Sequence, residues 1–71
     1  MGITEDLTDA LAKDALEAAK KAGDQKIVDD VAEVLNSTST TAYEAYMTAV
    51  RVRRAVTRAH ETLAAFKTKN E

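Results

Sequence analysis

From Ala45 through Ala49, Val52, Val56, Ala59 and Leu63 to Phe66, apolar residues recur at intervals of 4, 3, 4, 3, 4 and 3. This is an a/d stripe held over three heptads, the pattern of a helix that packs along a neighbour. The chain has no Pro, and no Gly follows Gly23, so nothing in the backbone interrupts a long helix there. The spacing predicts a helix over about 41–67, roughly 40 Å long at 1.5 Å per residue. In a chain of 71 residues that leaves room for two shorter helices.

The first of these is expected over about 5–22. Thr4 is a candidate N-cap, Glu5 and Asp6 suit the positive end of the helix dipole, and Lys20 and Lys21 suit the negative end. Gly23 stands where a left-handed residue ends a helix. Leu7, Leu11, Ala12, Ala15, Leu16, Ala18, Ala19 and Ala22 fill half of the helical wheel, wide enough to contact two neighbours. The second helix is expected over about 25–36, with Asp24 as its cap. Ile27, Val28, Val31, Val34 and Leu35 form its buried stripe, and their spacing fits a period of 3.6 better than the period of 2 of a strand. Residues 36–41, "NSTSTT", read as the break before the third helix, because Ser, Thr and Asn compete for backbone hydrogen bonds. Thr41 and Glu44 match a capping box, with Ser39 and Thr40 as alternative caps. No repeat or linker suggests a second unit. The expectation is a single all-α domain over 1–71, a small three-helix bundle or helical hairpin with a long C-terminal helix.

Composition makes such a domain short of buried surface. Of the apolar residues 14 are Ala, which favours helix but contributes little area at about 25 cal/mol per Å². With no Cys there are no disulfides or thiolate metal sites, and one His builds no imidazole cluster. Close helix packing and self-association are the remaining sources of stability.

The third helix is asymmetric. Its front half carries a second apolar stripe, Tyr43, Met47 and Val50 with Tyr46 beside them, which stops at Val50. Beyond it the same side carries Arg54, Thr57 and Glu61. The front half therefore reads as packed between the other helices, and the back half as having one apolar face to cover. Two shorter helices of about 27 and 18 Å suit either a hairpin or an end-to-end arrangement along the third helix. Val52, Val56, Ala59, Leu63 and Phe66 are thus candidate partner-binding residues, for a second copy around a two-fold axis, another protein, or both.

Arg51, Arg54 and Arg58 form a basic strip on that helix, a second candidate docking surface, while Arg53 points away from it. The charge is segregated: residues 1–36 hold nine acids and four bases, residues 37–71 six bases and three acids, for a net charge of −2. Internal pairing of a basic third helix with acidic neighbours is the plainest reading. A nucleic-acid-binding regulator using the strip is the alternative, against which stand a sequence pI near 5.3 and the lack of interleaved aromatics. His60, at the edge of the stripe, reads as a boundary residue, with a pH-responsive contact as the other option.

No catalytic, cofactor or metal site is expected. There is no Cys nucleophile, no Gly-rich phosphate loop and no second His, and acidic pairs such as Asp29-Asp30 lie on a polar helix face. No apolar run approaches the roughly 20 residues needed to cross a bilayer. The acidic N-terminus lacks the features of a signal peptide, and the myristoylation pattern begun at Gly2 fails at Asp6. The expectation is a cytoplasmic, non-enzymatic interaction module (an adaptor, regulator or accessory subunit) that docks through its C-terminal helix, with no membrane and no small-molecule substrate as partner.

Overall fold

In a computed structural model, which describes residues 2–70 with the side chains at 69 and 70 excepted, the chain forms three helices: α1 (Ile3–Ala22), α2 (Lys26–Thr38) and α3 (Thr40–Asn70). Each packs against the other two, and α1 against α3 most extensively. The chain is thus an all-α three-helix bundle with a long C-terminal helix. α1 and α2 form a hairpin, which excludes the end-to-end arrangement. α1 and α3 run parallel: Glu5 and Thr8 lie by Ala45 and Thr48, while Lys20 lies by Arg58 and Glu61. α2 returns between them.

Helix ends follow local chemistry, with three departures from the sequence expectation. α1 begins at Ile3 with Gly2 rather than Thr4 as its N-cap, because Glu5 Oε1 accepts the Gly2 N–H at 3.1 Å and closes the end two residues earlier. It ends as expected. Gly23 adopts φ 67°, and the Gly23 and Asp24 N–H groups donate to the Lys20 and Ala19 carbonyls, a Schellman motif. Asp24 Oδ1 then accepts the Lys26 N–H at 3.0 Å and caps the start of α2.

The second departure is the polar segment at 36–41, which breaks the helix at one residue only. α2 continues through Thr38, since the Ser37 and Thr38 hydroxyls donate to the Val34 carbonyl at 2.8 and 3.0 Å and stand in for the next turn's donors. Ser39 alone is extended, at φ −157° and ψ 107°. Its N–H donates back to Leu35, and its Oγ accepts the Ala42 N–H at 3.1 Å, so one residue ends α2 and caps α3. Ser39 therefore does the work expected of Thr41 and Glu44. The third departure is the far end of α3, which runs to Asn70 rather than stopping near 67.

The core is small. Ala12, Ala15 and Ala19 of α1, Val28 and Ala32 of α2, and Tyr46 and Val50 of α3 are buried. Leu11, Leu16, Ile27, Val31, Leu35, Tyr43, Met47 and Ala49 pack around them. Thr8 is buried too, and its hydroxyl donates to the Thr4 carbonyl at 2.6 Å, so a polar residue sits on the inner face of α1 without an orphan donor. Leu7, expected on the inner arc, is exposed together with Ile3.

Tyr46 is the largest fully buried side chain, and its hydroxyl donates to the Val28 carbonyl at 2.8 Å. Burial pushes its phenol pKa up, because the charged phenolate would lie out of water. Among the described residues no buried side-chain polar atom lacks a partner.

A domain of this size has a total stability of about 4–11 kcal/mol. Tyr46→Phe keeps the ring but leaves the carbonyl, and should cost about 0.5–1.5 kcal/mol. Tyr46→Ala should cost about 3–5 kcal/mol and leave little folded chain. Urea unfolding followed by circular dichroism measures both, and equal losses from the two variants would contradict the central place of the ring.

Candidate docking site

Tyr43, Met47 and Val50 face the core with Tyr46, so the second stripe of α3 is the one that builds the bundle. It ends where the sequence ends it. Arg53, at the next turn, is the last half-buried residue of α3, and the described side chains from Arg54 to Thr68 are all exposed. The other stripe lies on a different face. Ala45 and Ala49 are half-buried at the edge of α1. Val52, Val56, Leu63 and Phe66 expose 54, 49, 48 and 65% of their surface, and Ala59 is exposed between them. Four large apolar side chains in line on one helix are a contiguous patch rather than scattered exposure, and such patches mark interaction sites. Ile3, Leu7 and Val34 are also exposed, on α1 and α2.

Two grooves flank α3. The larger, about 570 Å³, lies between the C-terminal half of α1 and α3. It brings Lys13 and Lys20 of α1 together with Arg53, Arg54 and Arg58, and Glu17 and Glu61 share it. The smaller, about 390 Å³, lies between the N-terminal half of α1 and α3 and is lined by Glu5, Thr8, Asp9, Ala45, Thr48, Ala49 and Val52. It brings mostly small side chains of α3 together with two acids of α1.

The structure distributes the arginines differently from a simple strip. Arg53, set aside in the sequence, holds the helices together: its Nε and one terminal nitrogen each donate to Asp9 at 2.8 Å, a bidentate pair across α1 and α3. The signal for it was present, since Arg53 lies seven residues after the buried Tyr46 and so on the face that meets α1. Arg54 donates to the Gln25 side chain at 3.0 Å. Arg58 lines the larger groove with Arg54, whereas Arg51 is exposed outside both grooves. Internal complementarity between the acidic and basic parts of the chain thus comes down to Asp9–Arg53, the one ion pair between helices among the described residues. Lys26–Asp30 lies within α2. His60 is exposed beside the apolar stripe.

Among the described residues no group of three His, Asp or Glu side chains gathers as metal ligands would, and no helix is long and apolar enough to cross a membrane. No known protein family, curated protein or solved structure matches this chain.

The Arg53 hydrogen bonds hold the Asp9 carboxyl below its ordinary value of 3.8, with the Arg53 and Lys13 charges acting the same way. A carboxylate lowered by folding contributes stability above its unfolded value, and that contribution is lost as pH falls through the lowered one. Asp9→Asn should therefore be less stable than the wild type at neutral pH, and the gap should close as the pH drops below 3.8. Denaturation series across acid pH measure this, and a gap independent of pH would remove the ion pair as its cause.

Proposed function

We propose that this chain is a small non-enzymatic protein–protein interaction module, an adaptor, regulator or accessory subunit, that docks through the exposed half of α3. The observation that carries this reading is the row Val52, Val56, Ala59, Leu63 and Phe66, which continues in register from the bundle and is left in solvent by it. A helix that ended near Arg53 would complete the bundle, and fifteen further described residues of exposed helix, Arg54 to Thr68, add nothing to its core. Residues 54–61 still run beside the C-terminal half of α1 across the larger groove, and those from Thr62 to Thr68 extend past it by about 10 Å at 1.5 Å per residue. An amphipathic arm of this kind suits helix-in-groove or helix-on-helix recognition. In this reading the module works in the cytoplasm, without cofactor, metal, membrane or small-molecule substrate.

A photo-reactive residue placed at 56, 59 or 63 in the native cell should form adducts with polypeptide, whether a second copy or another protein. The same residue at Asp14 or Asp30, on the opposite acidic faces, should form far fewer. Equal adduct yields at all five positions would defeat the reading.

A second reading, a nucleic-acid-binding regulator, draws support from the larger groove, where five cations from two helices meet only two acids. Arg54 and Arg58 lie in it, with Arg51 outside on the same helix. Phosphate contacts release counterions, so binding of this kind must weaken steeply as salt rises. Titration of labelled single- and double-stranded DNA and RNA at low salt is the test. Binding that falls with salt and with Arg54→Gln/Arg58→Gln supports this reading; no binding at low salt ends it.

A further inference from the structure

The occupant of the α3 stripe is named by the stripe itself. In heptad terms Ala49, Val56 and Leu63 are a positions, and Val52, Ala59 and Phe66 are d positions. When two helices pack antiparallel, a residues of one meet d residues of the other. We propose that two copies of this chain associate through antiparallel α3 helices, with the two-fold axis between residues 57 and 58. This rests on the reading of the stripe as a docking surface, and commits it to a partner.

Three observations converge on that register. The first is volume. Rotation about the axis sets Phe66 against Ala49 of the second copy, Leu63 against Val52, and Val56 against Ala59. The largest side chain faces one of the smallest, and Val56 meets Ala59 beside the axis, so the row fills its own gaps as a close-packed layer requires. A shift of one heptad towards the C-terminus loses this. It would put Phe66 on Val56, a large side chain on another, and Leu63 on Ala59.

The second is the smaller groove. The same rotation carries Phe66 onto the part of the second copy where Ala45, Ala49 and Val52 line that groove. The groove offers an open, mostly apolar face, and it lies on the stripe rather than elsewhere on the surface.

The third is charge. Lys67 follows Phe66 and is exposed. In this arrangement it arrives at the groove, which Glu5 and Asp9 line. Nearer the axis Arg53 comes beside His60 of the second copy, but its charge is already offset by Asp9. The acidic N-terminal half of one chain thus receives the basic end of the other, twice over.

The paired stretch from 49 to 66 is about 27 Å long. An interface of that length lies near the lower bound for specific association, on the order of 1,000 Å² in total. The dimer is therefore expected to be reversible, and its extent to depend on concentration.

The test uses the full chain with Thr68→Cys carrying a spin label, the chain having no other Cys. Sedimentation from micromolar to millimolar concentration should show a monomer–dimer equilibrium, weakened about tenfold or more by Phe66→Glu and by Leu63→Glu, as hot-spot losses at small interfaces are. Circular dichroism of both variants should keep the wild-type helix content. Labels at 68 should lie about 32 Å apart along the paired helices, against about 10 Å in a parallel pair. A short distance overturns the antiparallel register. A monomer at every concentration overturns the dimer, and adducts to another polypeptide at 56, 59 or 63 would then still uphold the docking surface. A dimer indifferent to both glutamate substitutions places the interface elsewhere and also overturns the proposal.

Discussion

The fold depends on where one phenol goes. Among the described residues Tyr46 is the only side chain of its size that the bundle encloses completely, and the core it shares is largely Ala, from Ala12, Ala15 and Ala19 on α1 to Ala32 on α2. Alanine lets helices approach closely but does not define how far along one another they sit. The hydrogen bond from Tyr46 to the Val28 carbonyl does. Sliding α2 by a fraction of a turn along α3 would carry that carbonyl out of reach and strand a buried hydroxyl, at a cost of about 1–3 kcal/mol. In a domain this small that is a large share of the whole, so a single directional bond selects the register that an alanine surface leaves open.

The same core explains the two features that surround it. After Val50 the inner face of α3 carries Arg53, Arg54, Thr57 and Arg58, none of which can fill the space between helices as Tyr46 does. Beyond the Asp9–Arg53 pair the larger groove therefore opens between α1 and α3, lined by the charges that replaced the apolar residues. α3 nevertheless continues, because Ala, Arg, Leu and Lys hold a helix on their own propensity and no Pro or Gly stops it. The projecting arm and the charged groove are two results of one change in composition at residue 51.

What was legible in the sequence was periodic. The three helices, the glycine stop at Gly23, the capping Asp24 and the switch of α3 from two apolar faces to one all follow from spacing, since each depends on residues within a turn or two. What was not legible depended on competition between nearby groups or on distance in the chain. "NSTSTT" reads as a loop by composition, yet Ser37 and Thr38 bond backward to Val34 and keep the helix going, so the same hydroxyls that break helices here extend one. Thr4 lost the cap to Gly2 because Glu5 reaches back to the Gly2 amide rather than serving the dipole alone. Arg53 and Asp9 are 44 residues apart, and charge segregation said that such a pair should form without saying which members would form it. The exposed row from Val52 to Phe66 was visible as a stripe, and it stays uncovered because α1 and α2 pack on the face of Tyr46 and Val50 instead.

Charge and apolar surface on α3 act together on whatever covers the arm. The stripe is flanked on one edge by Arg53, His60 and Lys67, and on the other by Thr48, Ala55 and Thr62. Arg53 on the first edge is already offset by Asp9, so Lys67 is the cation there that a partner's acids would draw in, and such steering sets orientation more than it adds affinity. The chain's own acids are concentrated before residue 37, along α1 and α2. An antiparallel partner brings that acidic end to Lys67, and a parallel one would bring it no closer than the neighbouring bundle. The segregation of charge along the sequence thus bears on direction: it penalises α3 helices that lie side by side in the same sense and favours those that lie head to tail.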